Sequence, residues 1–329
     1  MKIKCYYDSP MTHETMVQAC EEFGFEYIAT EGPATMEDFK TLKGQDIDVI
    51  LVSVNPMSTE EYTVLKDAGV KHVVSMSVGF DHFDKAAAKE IGIGIHHSSY
   101  PPATVASYAV MLMLMSARRY DSIERAYKGR DFRVYDNLRG NDPSELTFGV
   151  IGTGKIGAAV CNRLRGFEPK KILCYDIYQN ESLKEFCEYV SLEELLAQSD
   201  IVTLHAFASP ENYHLINAER LALMKPTAYI VNTARGSLVD AEALADAIEN
   251  GKLGGAALDV LEVENGVYYC DKRGQELPAI MKRLEEMPEV IMTQHMAFCS
   301  TLTGRAQIYE AIKTAYLAMT GQPNPNEVK

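Results

Sequence analysis

The sequence predicts an α/β chain of two domains, each built on a parallel sheet. Three observations carry that expectation. Short apolar runs rich in β-branched and aromatic residues alternate with longer amphipathic stretches from end to end. Two such series occur, separated by a strongly apolar segment within 101–129. The length, 329 residues, exceeds what one small core organises and suits two domains.

In the first series, strands are expected at Ile3–Tyr7, Val49–Val52, Val73–Ser75 and Gly94–His97, with helices at Glu14–Phe23, Ser58–Ala68 and Asp84–Ile91 between them. Pro101 and Pro102 then pre-set a helix start. The helix they open is apolar on every side around Ala109–Met115, unlike a lone surface helix, so it is expected wedged between the two domains, the sharper alternative being that part of it also forms a subunit interface. The second series has strands at Leu146–Ile151, Lys171–Tyr175, Ile201–Leu204, Ala228–Val231, Gly255–Leu258 and Val290–Thr293. Its helices include Lys155–Arg165, Ser191–Ala197 and Ala241–Asn250. A last helix, Thr301–Met319, can return to the first domain and leave that domain discontinuous.

Composition narrows the class. Hydrophobic residues make up 47% and charged ones 24%, which excludes disordered and fibrous chains. With 46 acidic against 32 basic residues the net charge is −14, a body that repels phosphate backbones, so nucleic acid is not the expected partner. The longest apolar stretch, Tyr108–Met115, is under half of a bilayer span, and the opening M-K-I-K-C-Y-Y-D carries no apolar signal core. Neither a membrane partner nor a signal peptide is expected. The seven cysteines (Cys5, Cys20, Cys161, Cys174, Cys187, Cys270, Cys299) are scattered and lack C-x-x-C spacing. They read as reduced thiols of a cytoplasmic protein, forming neither a disulfide frame nor a zinc site.

The run Leu146–Ile151 leads directly into Gly152-Thr153-Gly154-Lys155-Ile156-Gly157, a G-x-G-x-x-G turn followed by a helical pattern. In that context the three glycines have separate tasks. Gly152 permits the tight turn, Gly154 lets a pyrophosphate approach the backbone, and Gly157 lets the helix pack close to the sheet. The helix N-terminus offers N–H groups and the positive end of its dipole to the phosphates. The next strand, K-I-L-C-Y, ends at Asp176, whose carboxylate can accept hydrogen bonds from a ribose 2′-OH and would repel a 2′-phosphate. Ile177 and Tyr178 follow, with no arginine to neutralise one. NAD is therefore the expected cofactor, in preference to NADP.

Three ionisable residues sit just beyond strands of the second series: Arg235 in V-N-T-A-R-G, Glu264 in L-D-V-L-E-V-E and His295 in M-T-Q-H-M-A-F. Ligands of open parallel sheets bind outside the carboxyl ends of the strands, so these groups can converge on the edge that carries the dinucleotide loop. Glu262 competes with Glu264, because alternation beyond the strand does not separate them.

These segments resemble the D-isomer-specific 2-hydroxyacid dehydrogenases, nearest to the D-lactate dehydrogenase branch, including the D-lactate dehydrogenases of vancomycin-resistance clusters. The likeness covers most of the chain and is densest through G-V-I-G-T-G-K-I-G, R-L-R-G-F, S-D-I-V-T-L-H, V-N-T-A-R-G-S-L-V-D, E-N-G-K-L-G-G-A-A-L-D-V-L-E and Q-H-M-A-F. It implies two Rossmann-like or flavodoxin-like domains with a cleft between them. The substrate domain would comprise 1–100 with 299–329, the NAD domain 101–298, and closure would exclude water.

The resemblance also implies a chemistry: reduction of a 2-oxo acid, pyruvate or one somewhat larger, to the D-2-hydroxy acid. His295 would be the general acid in reduction and the base in oxidation. Glu264, favoured over Glu262 by the family pattern, would orient the imidazole and favour its charged form. Arg235 would pair with the substrate carboxylate and polarise the carbonyl. Further cofactor contacts implied are Lys155, Ile156, Ala206, Phe207, Asn212, Thr233, Ala234 and Asp259, the last of which could instead cap its strand end. Val78 and Gly79, in S-M-S-V-G-F-D-H, would grip the substrate carboxylate, while Tyr100 and Phe298 would line the side-chain pocket.

The sequence departs from the family at several points. Ala206 and Phe207 replace a usual V-P, Met76 stands where close relatives carry arginine, Val134 where they carry tryptophan, and Cys299 replaces a tyrosine. These changes point to a reshaped, roomier pocket. A glyoxylate or hydroxypyruvate reductase of the same family, or a corepressor-like NAD-sensing scaffold, are the alternative functions. A homodimer is expected from the family likeness and the apolar helix.

Overall fold

The computed structural model describes residues 1–329, and the chain divides into two compact units: Met1–Pro101 with Cys299–Lys329, and Pro102–Phe298. The first contains β1 (Lys2–Tyr6), α1 (His13–Phe23), β2 (Glu26–Thr30), α2 (Met36–Lys40), β3 (Val49–Val52), α3 (Thr59–Asp67), β4 (His72–Ser75), α4 (Lys85–Ile91) and β5 (Gly94–His96). Its strands pair in parallel in the order β2-β1-β3-β4-β5, the flavodoxin-like order. The central strand β3, V-I-L-V, is buried at every position because helices cover both faces. The edge strand β2 was not among the expected strands: E-Y-I-A-T is half exposed and lacks the apolar run of a central strand.

On one face of this sheet, Ile3, Cys5, Val49, Leu51 and Val74 pack with Met16 and Cys20 of α1 and with Ile308, Ala311, Ile312 and Ala315 of the chain's last helix. On the other, Tyr6, Ile50 and Val73 pack with Phe39, Tyr62, Leu65 and Ala88.

A buried histidine, His96, pairs with the half-buried His72 in this unit. His96 Nε2 and His72 Nδ1 are 3.1 Å apart, and Asn324 Nδ2 lies 3.2 Å from His96 Nδ1. The amide donates to Nδ1, so the proton of neutral His96 is on Nε2. Burial, followed by the neighbouring His72 and His97, pushes the His96 imidazole down to about 4. The unfolded chain therefore takes up this proton first, and stability is lost as pH falls from the ordinary histidine range, about 6.5, through about 4. The full effect is on the order of 3 kcal/mol. Melting temperatures at pH 7 and pH 5 should drop less for His96→Gln than for the wild type; equal drops would remove His96 as the cause.

The second unit opens with α5 (Ala103–Ala117) and α6 (Tyr120–Lys128), followed by β6 (Thr147–Ile151), α7 (Lys155–Leu164), β7 (Lys171–Tyr175), β8 (Glu188–Tyr189), α8 (Leu192–Gln198) and β9 (Ile201–Leu204). It continues with α9 (Ala218–Leu221), β10 (Tyr229–Asn232), α10 (Ala241–Glu249), β11 (Gly255–Leu258), α11 (Ala279–Glu286) and β12 (Val290–Met292). The chain's last helix, α12 (Thr301–Thr320), belongs to the first unit.

All seven strands of the second unit are parallel, in the order β12-β11-β10-β9-β6-β7-β8. The sheet grows from β6 outward in one direction to β8 and then, from β9, in the other to β12. The order reverses between β6 and β9, and crevices outside such reversals are where α/β sheets bind ligands. The helix expected from the double proline is α5. It is a layer of this unit, burying Ala106, Ala109, Val110, Leu112 and Met113 beside Val160 and Leu164 of α7. Met111, Tyr120 and Ile123 remain exposed. No helix in the molecule is long and apolar enough to cross a membrane.

Candidate active site

The reversal point is built by the glycine turn. Gly152 takes a left-handed φ of 88°, and its N–H donates to the Tyr175 carbonyl at 2.8 Å. A Cβ on Gly152 would stand 2.5 Å from the Ala206 nitrogen, so β6 and the segment after β9 meet backbone to backbone. Gly154 caps α7 and has open space where a Cβ would be. A Cβ on Gly157 would collide with the Gly152 carbonyl oxygen. Gly157→Ala is therefore expected to destabilise the protein by about 1–3 kcal/mol through overpacking and to raise the Kd for NADH. Thermal melts and a fluorescence titration check both, and an unchanged melt would sink the steric argument.

Asp176 leaves β7 beside this turn. Its carboxylate accepts hydrogen bonds from the Thr153 N–H at 2.5 Å, the Thr153 hydroxyl at 3.1 Å and the Tyr178 N–H at 3.0 Å. Tyr189 in turn donates to the Thr153 hydroxyl at 2.9 Å. Ile177 and Tyr178, next along, are largely exposed, and neither is cationic. After β9, burial pushes the His205 imidazole down to about 3, leaving it neutral against the Thr203 hydroxyl at 3.0 Å.

Ala206 follows, then Phe207, which is 64% exposed. The Asn212 amide closes this loop: it donates to the Phe207 carbonyl at 2.7 Å and accepts from the Ser209 N–H at 2.7 Å. Beyond β10, Thr233 is buried and its hydroxyl has no partner. An open glycine at a helix N-terminus, a strand-end carboxylate and an orphaned buried hydroxyl fit a dinucleotide lying across the edge from Gly152 to Thr233.

Arg235, Glu264 and His295 leave adjacent strands at one level, because Asn232 pairs with Leu258 and Leu258 with Met292 across β10, β11 and β12. Arg235 sits in a tight turn: Asn232 Nδ2 donates to the Arg235 carbonyl at 2.8 Å, and one guanidinium nitrogen donates to the Ala234 carbonyl at 2.8 Å. Glu264 Oε1 lies 3.0 Å from His295 Nδ1, while its Oε2 accepts from the Leu261 N–H at 3.1 Å. The imidazole thus presents Nε2 as its other nitrogen. The competing Glu262 is engaged elsewhere, with the Tyr213 hydroxyl at 2.5 Å and His214 Nε2 at 2.9 Å. Burial opposes its ionisation, but those two hydrogen bonds outweigh it and hold the carboxyl below the usual range.

His295 is held in a left-handed conformation, φ 55°, which a non-glycine residue adopts only under constraint. The constraint is Asp259. Its buried carboxylate accepts from the Thr293 hydroxyl at 2.5 Å, the Met296 N–H at 2.7 Å and the Ala297 N–H at 2.9 Å, while its carbonyl accepts from the His295 N–H at 2.7 Å. Those contacts spend the carboxylate on the turn, the capping role that the sequence left open beside a cofactor contact. Tyr269, which sequence reasoning did not single out, donates to the His295 carbonyl at 2.9 Å. Its ring and that of Phe298 lie 6.1 and 6.2 Å from the imidazole, centroid to centroid.

The remaining predicted residues lie in the first unit. Val78 and Gly79 form the turn after β4, where the Ser77 hydroxyl donates to the Gly79 carbonyl. Tyr100 lines a surface depression with Glu14, Arg305 and Tyr309. Met76 is packed against the core, and Val134 is almost wholly exposed.

Fold and site together define the class: an oxidoreductase that uses a dinucleotide to interconvert an alcohol and a carbonyl. The family profile described as D-isomer specific 2-hydroxyacid dehydrogenase, NAD binding domain, matches residues 110–297. The chain is 43% identical over 250 residues to a D-specific alpha-keto acid dehydrogenase of Enterococcus faecium, covering 76% of each. It is 37% identical to an aromatic 2-oxoacid reductase of Clostridium sporogenes over 78% of this chain and 77% of that one. The crystal structure of a D-lactate dehydrogenase from Treponema pallidum superposes with a TM-score of 0.91 at 28% identity, covering 100% of both chains. The protein belongs to the D-isomer-specific 2-hydroxyacid dehydrogenase family: it is an NAD-dependent oxidoreductase acting on the CH–OH group.

Proposed function

We propose that this dehydrogenase works chiefly as a reductase, converting 2-oxo acids with side chains at and above the size of pyruvate's to D-2-hydroxy acids. The observation that carries the reading is the His295–Glu264 pair, 3.0 Å apart on the strand edge that also bears the glycine turn and Arg235. When bound, NADH supplies the hydride. Arg235 pairs its forked donors with the substrate carboxylate and draws electron density from the carbonyl. His295 Nε2–H delivers the proton to the carbonyl oxygen. Glu264 accepts from Nδ1–H, which fixes the ring's orientation and offsets the imidazolium charge. Asp259 acts through the turn it caps, as a positioning residue. In the first unit, Val78, Gly79 and Tyr100 are the proposed substrate contacts.

The range above pyruvate is supported by the apolar wall that Tyr269 and Phe298 build beside the imidazole, and by the aromatic substrates named for the Clostridium relative. A cytoplasmic setting accords with the seven free thiols. A homodimer is supported by the apolar surface that α5 and α6 leave exposed at Met111, Tyr120, Ile123 and Tyr127. The first unit serves as the substrate domain and the second as the NAD domain.

The test is a panel of pyruvate, 2-oxoisocaproate and phenylpyruvate with NADH and NADPH, with product chirality assigned. Expected are D products, NADH preference and kcat/KM for the larger acids at least equal to that for pyruvate. L products or an NADPH preference would overturn the reading, and an overwhelming pyruvate preference would end its substrate range.

A further inference from the structure

The cysteines scattered in sequence are not all scattered in space. Cys161 on α7, Cys174 on β7 and Cys187 just before β8 come together in the second unit, their sulfurs within 4.8 Å of one another. Cys161 Sγ and Cys174 Sγ are 3.7 Å apart. No C-x-x-C pattern announces this because each ligand comes from a different element. Cys161 and Cys174 are fully buried, whereas Cys187 keeps 7% of its surface exposed, so the cluster has a floor and a mouth. The N–H of Cys187 is tied to the Leu183 carbonyl at 2.8 Å, which fixes the third thiol in place.

The surroundings select what three thiols could hold. Val160, Leu164, Ile172 and Leu183 share the cluster, all apolar. The charge that bears on Cys174 is the carboxylate of Asp176, of the same sign as a thiolate. A divalent cation on three thiolates would leave a net negative charge in that setting, a costly arrangement. Zinc would also lack the fourth ligand of a structural site. A trivalent, three-coordinate, thiophilic centre meets neither objection, because its complex with three thiolates is neutral.

We propose that Cys161, Cys174 and Cys187 form a binding site for trivalent arsenic, taken up as arsenous acid. Three S–H and three As–O bonds are exchanged for three As–S and three O–H bonds, and three water molecules leave. Arsenic stays trivalent, so no oxidant or reductant is needed. The neutral acid reaches the cluster past Cys187, and short side-chain rotations bring the sulfurs to bonding distance.

The test uses the full chain, reduced with a phosphine and freed of it, and titrated with arsenous acid. Native mass spectrometry should find one arsenic per chain, with a mass gain of one arsenic less three hydrogens. Cys161→Ser, Cys174→Ser and Cys187→Ser should each weaken binding by more than about 100-fold, beyond what even the loss of a ligand's supporting partner costs. Cys270→Ser, which removes an exposed thiol, should bind as the wild type does. Should the serine variants fail to fold, alkylation of the wild type supplies the answer: arsenous acid should protect Cys161, Cys174 and Cys187, as read by peptide mass spectrometry. Loss of only two hydrogens, protection confined to Cys270 and Cys299, wild-type affinity in Cys161→Ser, or stoichiometric zinc or cadmium binding without arsenic would each overturn the proposal.

Discussion

Replacing His295 with glutamine is expected to lower kcat for 2-oxo acid reduction by about 10²–10⁴-fold, with little change in the Kd for NADH. Glutamine can still donate a hydrogen bond to a carbonyl oxygen but has no proton to give up. The residues proposed to hold the dinucleotide are other ones, the glycine turn, Asp176 and Thr233, so cofactor affinity should persist. Glu264→Gln should cost less on its own. Combined with His295→Gln it should add little, since the proposed role of Glu264 runs through its contact with His295 Nδ1. Stopped-flow turnover and fluorescence titration check both. A His295→Gln enzyme retaining more than about a tenth of wild-type kcat would point to another proton donor.

Arg235→Gln is expected to reduce kcat/KM for the 2-oxo acid by about 10²–10³-fold, the scale of losing one pre-organised donor to a developing negative charge. Lysine should restore part of this, because its charge survives while the forked geometry does not. The distinguishing readout is which constant moves. In the proposed role Arg235 pairs with the substrate carboxylate in ground and transition states alike, so KM should rise, whereas His295→Gln should change kcat with KM near its original value. The turn that seats Arg235 is braced by Asn232, whose side chain donates to the Arg235 carbonyl and accepts from the Ala234 N–H. Asn232→Ala should therefore reproduce a weaker version of the same KM effect.

Much of this was legible in the sequence, for identifiable reasons. The glycine turn and the strand-end carboxylate of Asp176 follow local rules, since strand, tight turn and helix N-terminus are consecutive in the chain. Central strands such as V-I-L-V at β3 announce themselves by continuous apolarity, whereas β2 and the two-residue β8 are half-exposed edge strands and carry no such mark. Alternation could not separate Glu262 from Glu264, because neither lies in a strand. They are told apart by Tyr213 and His214, about fifty residues upstream, which engage the first and leave the second to His295. The left-handed turn at His295 and its clamp by Asp259 are likewise contacts between segments distant in sequence, as is the meeting of the three thiols. Tyr269 reads as one of two adjacent tyrosines in a polar stretch, and only its hydrogen bond to the His295 carbonyl shows its place.

The return of α12 to the first sheet has a consequence for biogenesis. During synthesis the second unit is contiguous and can fold as soon as residue 298 clears the ribosome, as domains made from one stretch of chain do. The amino-terminal hundred residues emerge earlier yet cannot finish, because Ile308, Ala311, Ile312 and Ala315, which cover Cys5, Val49 and Leu51, are translated last. The first part made is thus the last completed. Until α12 emerges, that face of its sheet is covered by α1 alone, and the remainder stays open to chaperones or to aggregation.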